Sequence, residues 1–317
     1  IDTFSYFGLT AGHRPIAGVT DWGSMAALAV IELALLVGGI FVFRTRDIGI
    51  TVDVGLPLPR FRLGLGGPLG RSFAERLSVA WWWGIGLGLM GFVFALNIDA
   101  FVGTLKSIPQ VETMIRHLYP DADIFSAGGV LQLVFFGFGS LVVAAAAGML
   151  ANGWASDETE RRLETILSTP LARRSWVARS GLGVLAAVGV LAIVIASLIG
   201  LGTVLVGADP VTPAAGSLVL GLYAGALVGI GLAVGGLVRP ELAAVTAGGL
   251  GVAFYLLDSL GAALQLPSQV LDLSLTRHLG QPMAGNFDPI GLVACAVLAL
   301  GGIAVAAVGY GRRDIGR

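Results

Sequence analysis

The chain has 317 residues, of which 56% are hydrophobic, 48 are glycine and only 12% are charged, with a net charge of −1. A soluble domain carries about 25% charged residues, so the composition argues against a water-soluble fold, and the near-zero net charge argues against a general pull toward nucleic acid. The single cysteine, Cys295, excludes an intrachain disulfide and a cysteine-based zinc cluster.

Residues 1–23 are polar and carry no signal peptide; starting at Ile1, the chain reads as part of a longer product. Apolar runs long enough to cross a bilayer as helices follow at 24–43, 79–98, 128–150, 177–206, 214–237, 242–261 and 290–310. This predicts an all-α polytopic membrane protein with seven transmembrane helices. Glu32 sits at the centre of the first run. An ionised acid at mid-bilayer costs about 2.5–3.5 kcal/mol, so Glu32 is a candidate pathway residue. Before the second run, Ser72 to Glu75 ("SFAE") matches a capping box and predicts an interfacial helix over 66–80. Trp81, Trp82 and Trp83 then mark a membrane boundary.

The loop after the third run reads "ETERRLETILSTPLARRSW" from Glu158 to Trp176. Its pattern predicts a helix over 157–167, capped by Ser156 or Asp157, with Glu158 and Glu160 suiting its positive N-terminal end. Glu160 with Glu164 and Leu163 with Leu167 give one acidic and one apolar face. Thr169-Pro170 stops the helix, and Arg173, Arg174 and Arg179 fall at the headgroups. Further on, glycines 221, 225, 229, 231 and 235 offer close-packing faces. Asp258, near the end of the sixth run, is a second pathway candidate. Residues 262–289 are too interrupted to span and read as short re-entrant helices closing one mouth of a pathway.

Placing residues 1–23 outside puts fifteen of the nineteen lysines and arginines in inside loops, as the positive-inside rule requires. The C-terminus is then inside. A repeat spans the two ends. Pro15, Ala17, Gly18, Asp21, Arg46, Asp47, Ile48 and Gly49 each meet an identical residue at an offset of 267. Residues 1–50 therefore read as the tail of a first six-helix repeat, 51–76 as a linker with the interfacial helix, and 77–317 as a second repeat in parallel orientation. No GxxxxGK[ST] loop, HExxH motif or GxSxG elbow occurs, so the chain reads as no enzyme and not as a P-loop ATPase.

"ETERRLETILSTPLARRSWVARS" resembles the loop between the second and third spans of ABC exporter permeases of the six-span, type V class. In these a Glu-rich short helix precedes a Leu-x-Thr-Pro-x-x-Arg-like stretch, here "ILSTPLARR". The six-span layout and terminal "RRDIG" agree, and fused two-copy permeases of this kind resemble tetronasin-type antibiotic and multidrug exporters. The resemblance implies a bacterial cytoplasmic-membrane permease with a cytosolic coupling helix. That helix would dock on two copies of an ATP-binding-cassette subunit, which bind the ATP and magnesium; no cofactor is expected in this chain. It assigns docking to Glu160, Arg161, Glu164, Leu167, Thr169 and Pro170. The remaining expected partners are membrane lipid and a small amphipathic or hydrophobic substrate. Two rivals stand beside this reading: a proton- or ion-coupled transporter using Glu32 and Asp258, and a non-transporting membrane assembly protein.

Overall fold

The computed structural model describes residues 21–45, 66–106, 125–159, 163, 171–261 and 264–312. Seven helices among them are long and apolar enough to cross a membrane, and they coincide with the seven apolar runs. These are α1 (Trp22–Thr45), α2 (Gly67–Leu96), α4 (Ala127–Thr159), α5 (Arg173–Leu205), α6 (Val211–Leu237), α7 (Leu242–Leu260) and α9 (Pro289–Arg312). Short α3 (Ile98–Lys106) follows α2, and α8 (Ser268–Leu271) follows α7. The chain divides into two compact units, Ile1–Leu58 and Pro59–Arg317; α1 belongs to the first and all other helices to the second.

Within the larger unit α6 is the central helix, with 72% of its most apolar window buried. It packs against α4, α5, α7 and α9, while α2 lies along α5 and α7 along α4. Glycine makes the closest of these approaches possible. A Cβ on Gly229 of α6 would overlap the backbone of Leu298 and Ala299, and one on Gly302 of α9 would overlap Gly229 itself. Backbone-to-backbone contact of this kind is how helices gain dispersion energy in lipid, where apolar side chains have no reason to prefer each other. Gly221 faces Ala192 of α5 and Gly231 and Gly235 face α7, whereas Gly225 has only ordinary contacts.

The stretch read as an interfacial helix is the first part of α2, which runs unbroken for 30 residues from its N-cap at Gly66. Ser72 is therefore no cap. It is buried, and its Oγ donates to the carbonyl of Ser180 on α5 at 2.7 Å. The segment between α7 and α9 is built from α8, a 3-10 turn (Leu275–Leu279), a two-residue antiparallel pairing of Gly280–Gln281 with Asn286–Phe287, and the turn Pro282–Ala284. Met283, fully buried, plugs this turn between the starts of α4 and α6.

The end repeat has a structural counterpart. Helices α1 and α9 are both 24 residues long and begin and end at positions 267 apart. Asp21 Oδ1 accepts from the amides of Gly23 and Ser24 at 3.1 and 3.2 Å. Asp288 Oδ1 accepts from those of Ile290 and Gly291 at 2.9 and 3.4 Å. Each carboxylate satisfies amides that the first helical turn leaves open. Asp288→Ala is expected to lower stability by about 0.5–2 kcal/mol, while Asp288→Asn, which keeps an acceptor, stays near the parent. Thermal unfolding of detergent-solubilised protein checks this.

Candidate functional site

One end of the larger unit carries a dense polar and aromatic cluster at the root of the loop between α4 and α5. Arg76 of α2 is 3% exposed. Its Nη1 donates to the Ser72 carbonyl at 2.9 Å and its Nη2 to the Gly153 carbonyl of α4 at 2.6 Å. Nη2 also lies 3.8 Å from Asp157 Oδ2, and Nη1 lies 3.4 Å from Glu75 Oε2. Arg71 completes the group, with Nε 2.8 Å from Glu75 Oε1 and Nη2 3.7 Å from Asp157 Oδ1. A guanidinium keeps its charge when buried, so its burial is tolerable only where it is paired and hydrogen-bonded. Here the planar fork of an arginine spans two carbonyls and a carboxylate at once.

Asp157 is thus not the cap of a loop helix. It occupies the last turn of α4, which continues to Thr159. A carboxylate at a helix C-terminus opposes the helix dipole, and the two arginines of α2 offset this. Around the pair, Trp154 stacks on Trp176 of α5 at 5.8 Å and meets Tyr310 of α9 edge-on at 5.5 Å. Trp154 Nε1 donates to Ser180 Oγ at 2.9 Å, and the Tyr310 hydroxyl donates to Glu158 Oε2. Residues just before the loop (Trp154, Asp157, Glu158) and just after it (Trp176, Ser180) are in this way fixed to α2 and α9.

Of the loop residues expected to dock a partner, Glu160, Arg161, Glu164, Leu167, Thr169 and Pro170 all lie outside the described residues. Leu163 is described. It is helical and fully buried in the main apolar core, which fits the apolar face read from the sequence. Glu32 lies exposed on α1, in the smaller unit.

Asp258 lies at the opposite end of the larger unit, on the last turn of α7. Its Oδ2 accepts from Ser274 Oγ at 2.9 Å and from Thr276 Oγ1. It borders a cavity of about 620 Å³. One wall is a π-helical turn of α4, Gln132–Phe136, whose Gln132 Oε1 accepts from the Met283 amide at 3.0 Å. The other walls are the end of α7 and the 271–286 segment. Sequence reasoning singled out Asp258 but missed Gln132 and Arg76. A lone arginine in a basic stretch looks like any positive-inside charge, and the one available signal was the spacing of Arg71, Glu75 and Arg76 on one helix.

A family model described as multidrug efflux system permease Rv1217c, C-terminal domain, matches residues 65–311, from just before α2 to the last turn of α9. The multidrug efflux system permease protein Rv1217c of Mycobacterium tuberculosis (strain ATCC 25618 / H37Rv) is 26% identical over 334 residues, covering 98% of this chain and 57% of that protein. The chain spans somewhat over half the length of this relative. Seven spanning-length apolar helices and this likeness make it a multi-pass membrane protein. The chain belongs to the family of the multidrug efflux system permease Rv1217c, C-terminal domain.

Proposed function

We propose that the chain is the permease of an ATP-driven exporter of the six-span, type V class, akin to tetronasin-type fused permeases. It moves a small amphipathic or hydrophobic compound across a bacterial cytoplasmic membrane while a separate ATP-binding subunit, in two copies, hydrolyses ATP. The observation that carries this reading is the clamped root of the 160–172 loop. Asp157, Glu158, Trp154 and Trp176 tie both ends of the loop to α2, α4, α5 and α9, so a push on the loop moves four helices together. A merely solvated loop has no need of such a root. Glu160, Arg161, Glu164, Leu167, Thr169 and Pro170 form the docking face in this reading, with the arginine-rich end in the cytosol and residues 1–23 outside.

In this reading residues 1–50 are the tail of a first six-helix repeat, 51–76 a linker with an interfacial stretch that runs into α2, and 77–317 the second repeat. The equal lengths and equal aspartate caps of α1 and α9 support this division. Affinity purification of the tagged full-length protein tests the coupling. An ATP-binding subunit is expected to co-purify with the parent and to be lost from Glu164→Arg while membrane insertion stays normal. Equal recovery with the variant removes the loop's docking role. No ATPase with either protein sinks the ATP-driven reading and favours a gradient-driven transporter.

A further inference from the structure

The cavity beside Asp258 has a composition that selects one kind of ligand. Its volume, about 620 Å³, lies within the range of drug-sized sites. Leu133, Phe136 and Leu271 supply apolar wall, and Tyr255 adds an aromatic ring. Two charged residues border it, Asp258 and Arg277. The Arg277 side chain is 42% exposed and lies 3.9 Å from the carboxylate of Asp272, so its charge has a partner. Asp258 has no cationic partner among the described residues; both of its hydrogen bonds are hydroxyl donors to Oδ2. Its Oδ1 remains open. Gln281 borders the same cavity and holds a buried Oε1 with no hydrogen-bond partner.

An open carboxylate oxygen and an open amide oxygen are both acceptors, and one is anionic. The Gln281 acceptor is buried, and a buried acceptor without a donor is costly; the Asp258 carboxylate is exposed, so a ligand entering the cavity can reach it. The chemistry that completes the set is a donor-rich organic cation. A bare metal ion would demand six or more oxygens, and it would leave the apolar wall unused. An anion would face Asp258.

We propose that this cavity binds protonated amines with an apolar or aromatic body, the ammonium on Asp258 Oδ1 and the body against Phe136, Leu133 and Leu271. It rests on the transport reading above and names the substrate class of that transport. Ser274 and Thr276 act as positioning residues: they occupy Oδ2 and so aim the free Oδ1.

The test is equilibrium binding to the full-length protein in phosphatidylcholine nanodiscs with no ATPase present. It is followed by fluorescence polarisation, with the signal of empty discs subtracted. The probe is 9-aminoacridine, a cation, and the comparator is acridine at pH 8, a neutral ring of the same shape. A charge-assisted hydrogen bond is worth about tenfold or more in affinity. Asp258→Asn, which keeps an oxygen for the two hydroxyls, is expected to weaken 9-aminoacridine by that factor and to leave acridine unchanged. Ser274→Ala removes one of the two hydroxyl donors but keeps the carboxylate, and is expected to cost the cation markedly less. Unchanged affinity in Asp258→Asn overturns the proposal. So does an equal loss for both ligands, or a loss in Ser274→Ala as large as in Asp258→Asn, because the carboxylate then serves to hold the 271–286 segment and not the ligand. Since no ATPase takes part, a negative result here leaves the co-purification result standing, and the reverse also holds.

Discussion

Arg76→Ala is expected to destabilise the protein by about 3–5 kcal/mol, the cost of breaking a buried pair by removing one partner. The side chain is almost fully buried, and its loss strips donors from the Ser72 and Gly153 carbonyls. Asp157 loses its buried guanidinium neighbour, while Arg71, whose side chain is 43% exposed, stays 3.7 Å away. Arg76→Lys keeps the charge, but one ammonium cannot reach two carbonyls and a carboxylate in the fork geometry, so an intermediate loss is expected. The double change Arg76→Met with Asp157→Leu removes both charges and is expected to recover most of the stability. Thermal unfolding followed by size exclusion in detergent ranks the four proteins. An Arg76→Ala protein that unfolds with the parent would show that the pair does not hold this end together.

The second large effect is expected between adjacent glycines of α9. A Cβ at Gly302 would meet the carbonyl and Cα of Gly229, whereas one at Gly301 would meet nothing within 4 Å. Alanine is the better helix former by about 1 kcal/mol, so Gly301→Ala is expected to be neutral or slightly stabilising. Gly302→Ala is expected to cost about 1–3 kcal/mol through overpacking, at the upper end because backbone, not a flexible side chain, stands in the way. The same unfolding assay reads both. Equal behaviour of the two variants would mean that α6 and α9 do not touch through these residues.

The spans, their number and the short broken segment before α9 were legible in the sequence because hydropathy and length alone decide them. The polar identities at both ends keep one offset, and the aspartates that cap α1 and α9 share it. The glycine faces were legible as faces, not as partners; only the packing assigns Gly229 to α9 and Gly231 to α7. What pattern reasoning missed was long-range pairing. Ser72 looked like a cap because "SFAE" satisfies a local rule, yet its hydroxyl bonds 108 residues away. Asp157 looked like a cap because it precedes two glutamates, yet α4 passes through it and Arg76 claims it. In both cases a tertiary partner outweighs a local hydrogen bond worth about 1 kcal/mol. Asp258 was read as a pathway candidate from its place in an apolar run, and its hydroxyl partners lie in the segment that the sequence marked as too broken to span.

The π-turn at Gln132–Phe136 has a rotational meaning. Such a turn closes i to i+5 where an α-helix closes i to i+4, so α4 carries one residue more there than regular winding would use. Each residue of an α-helix advances the side-chain direction by about 100°. The short stretch Ala127–Leu131 is thereby set about 100° out of phase with the long remainder of α4, which Arg76, Trp154 and Asp157 anchor at the other end. The facing of Gln132 toward Met283 is therefore an accident of neither end: it is a phase offset stored in one turn, and the helix has two rotational settings joined at the wall of the cavity.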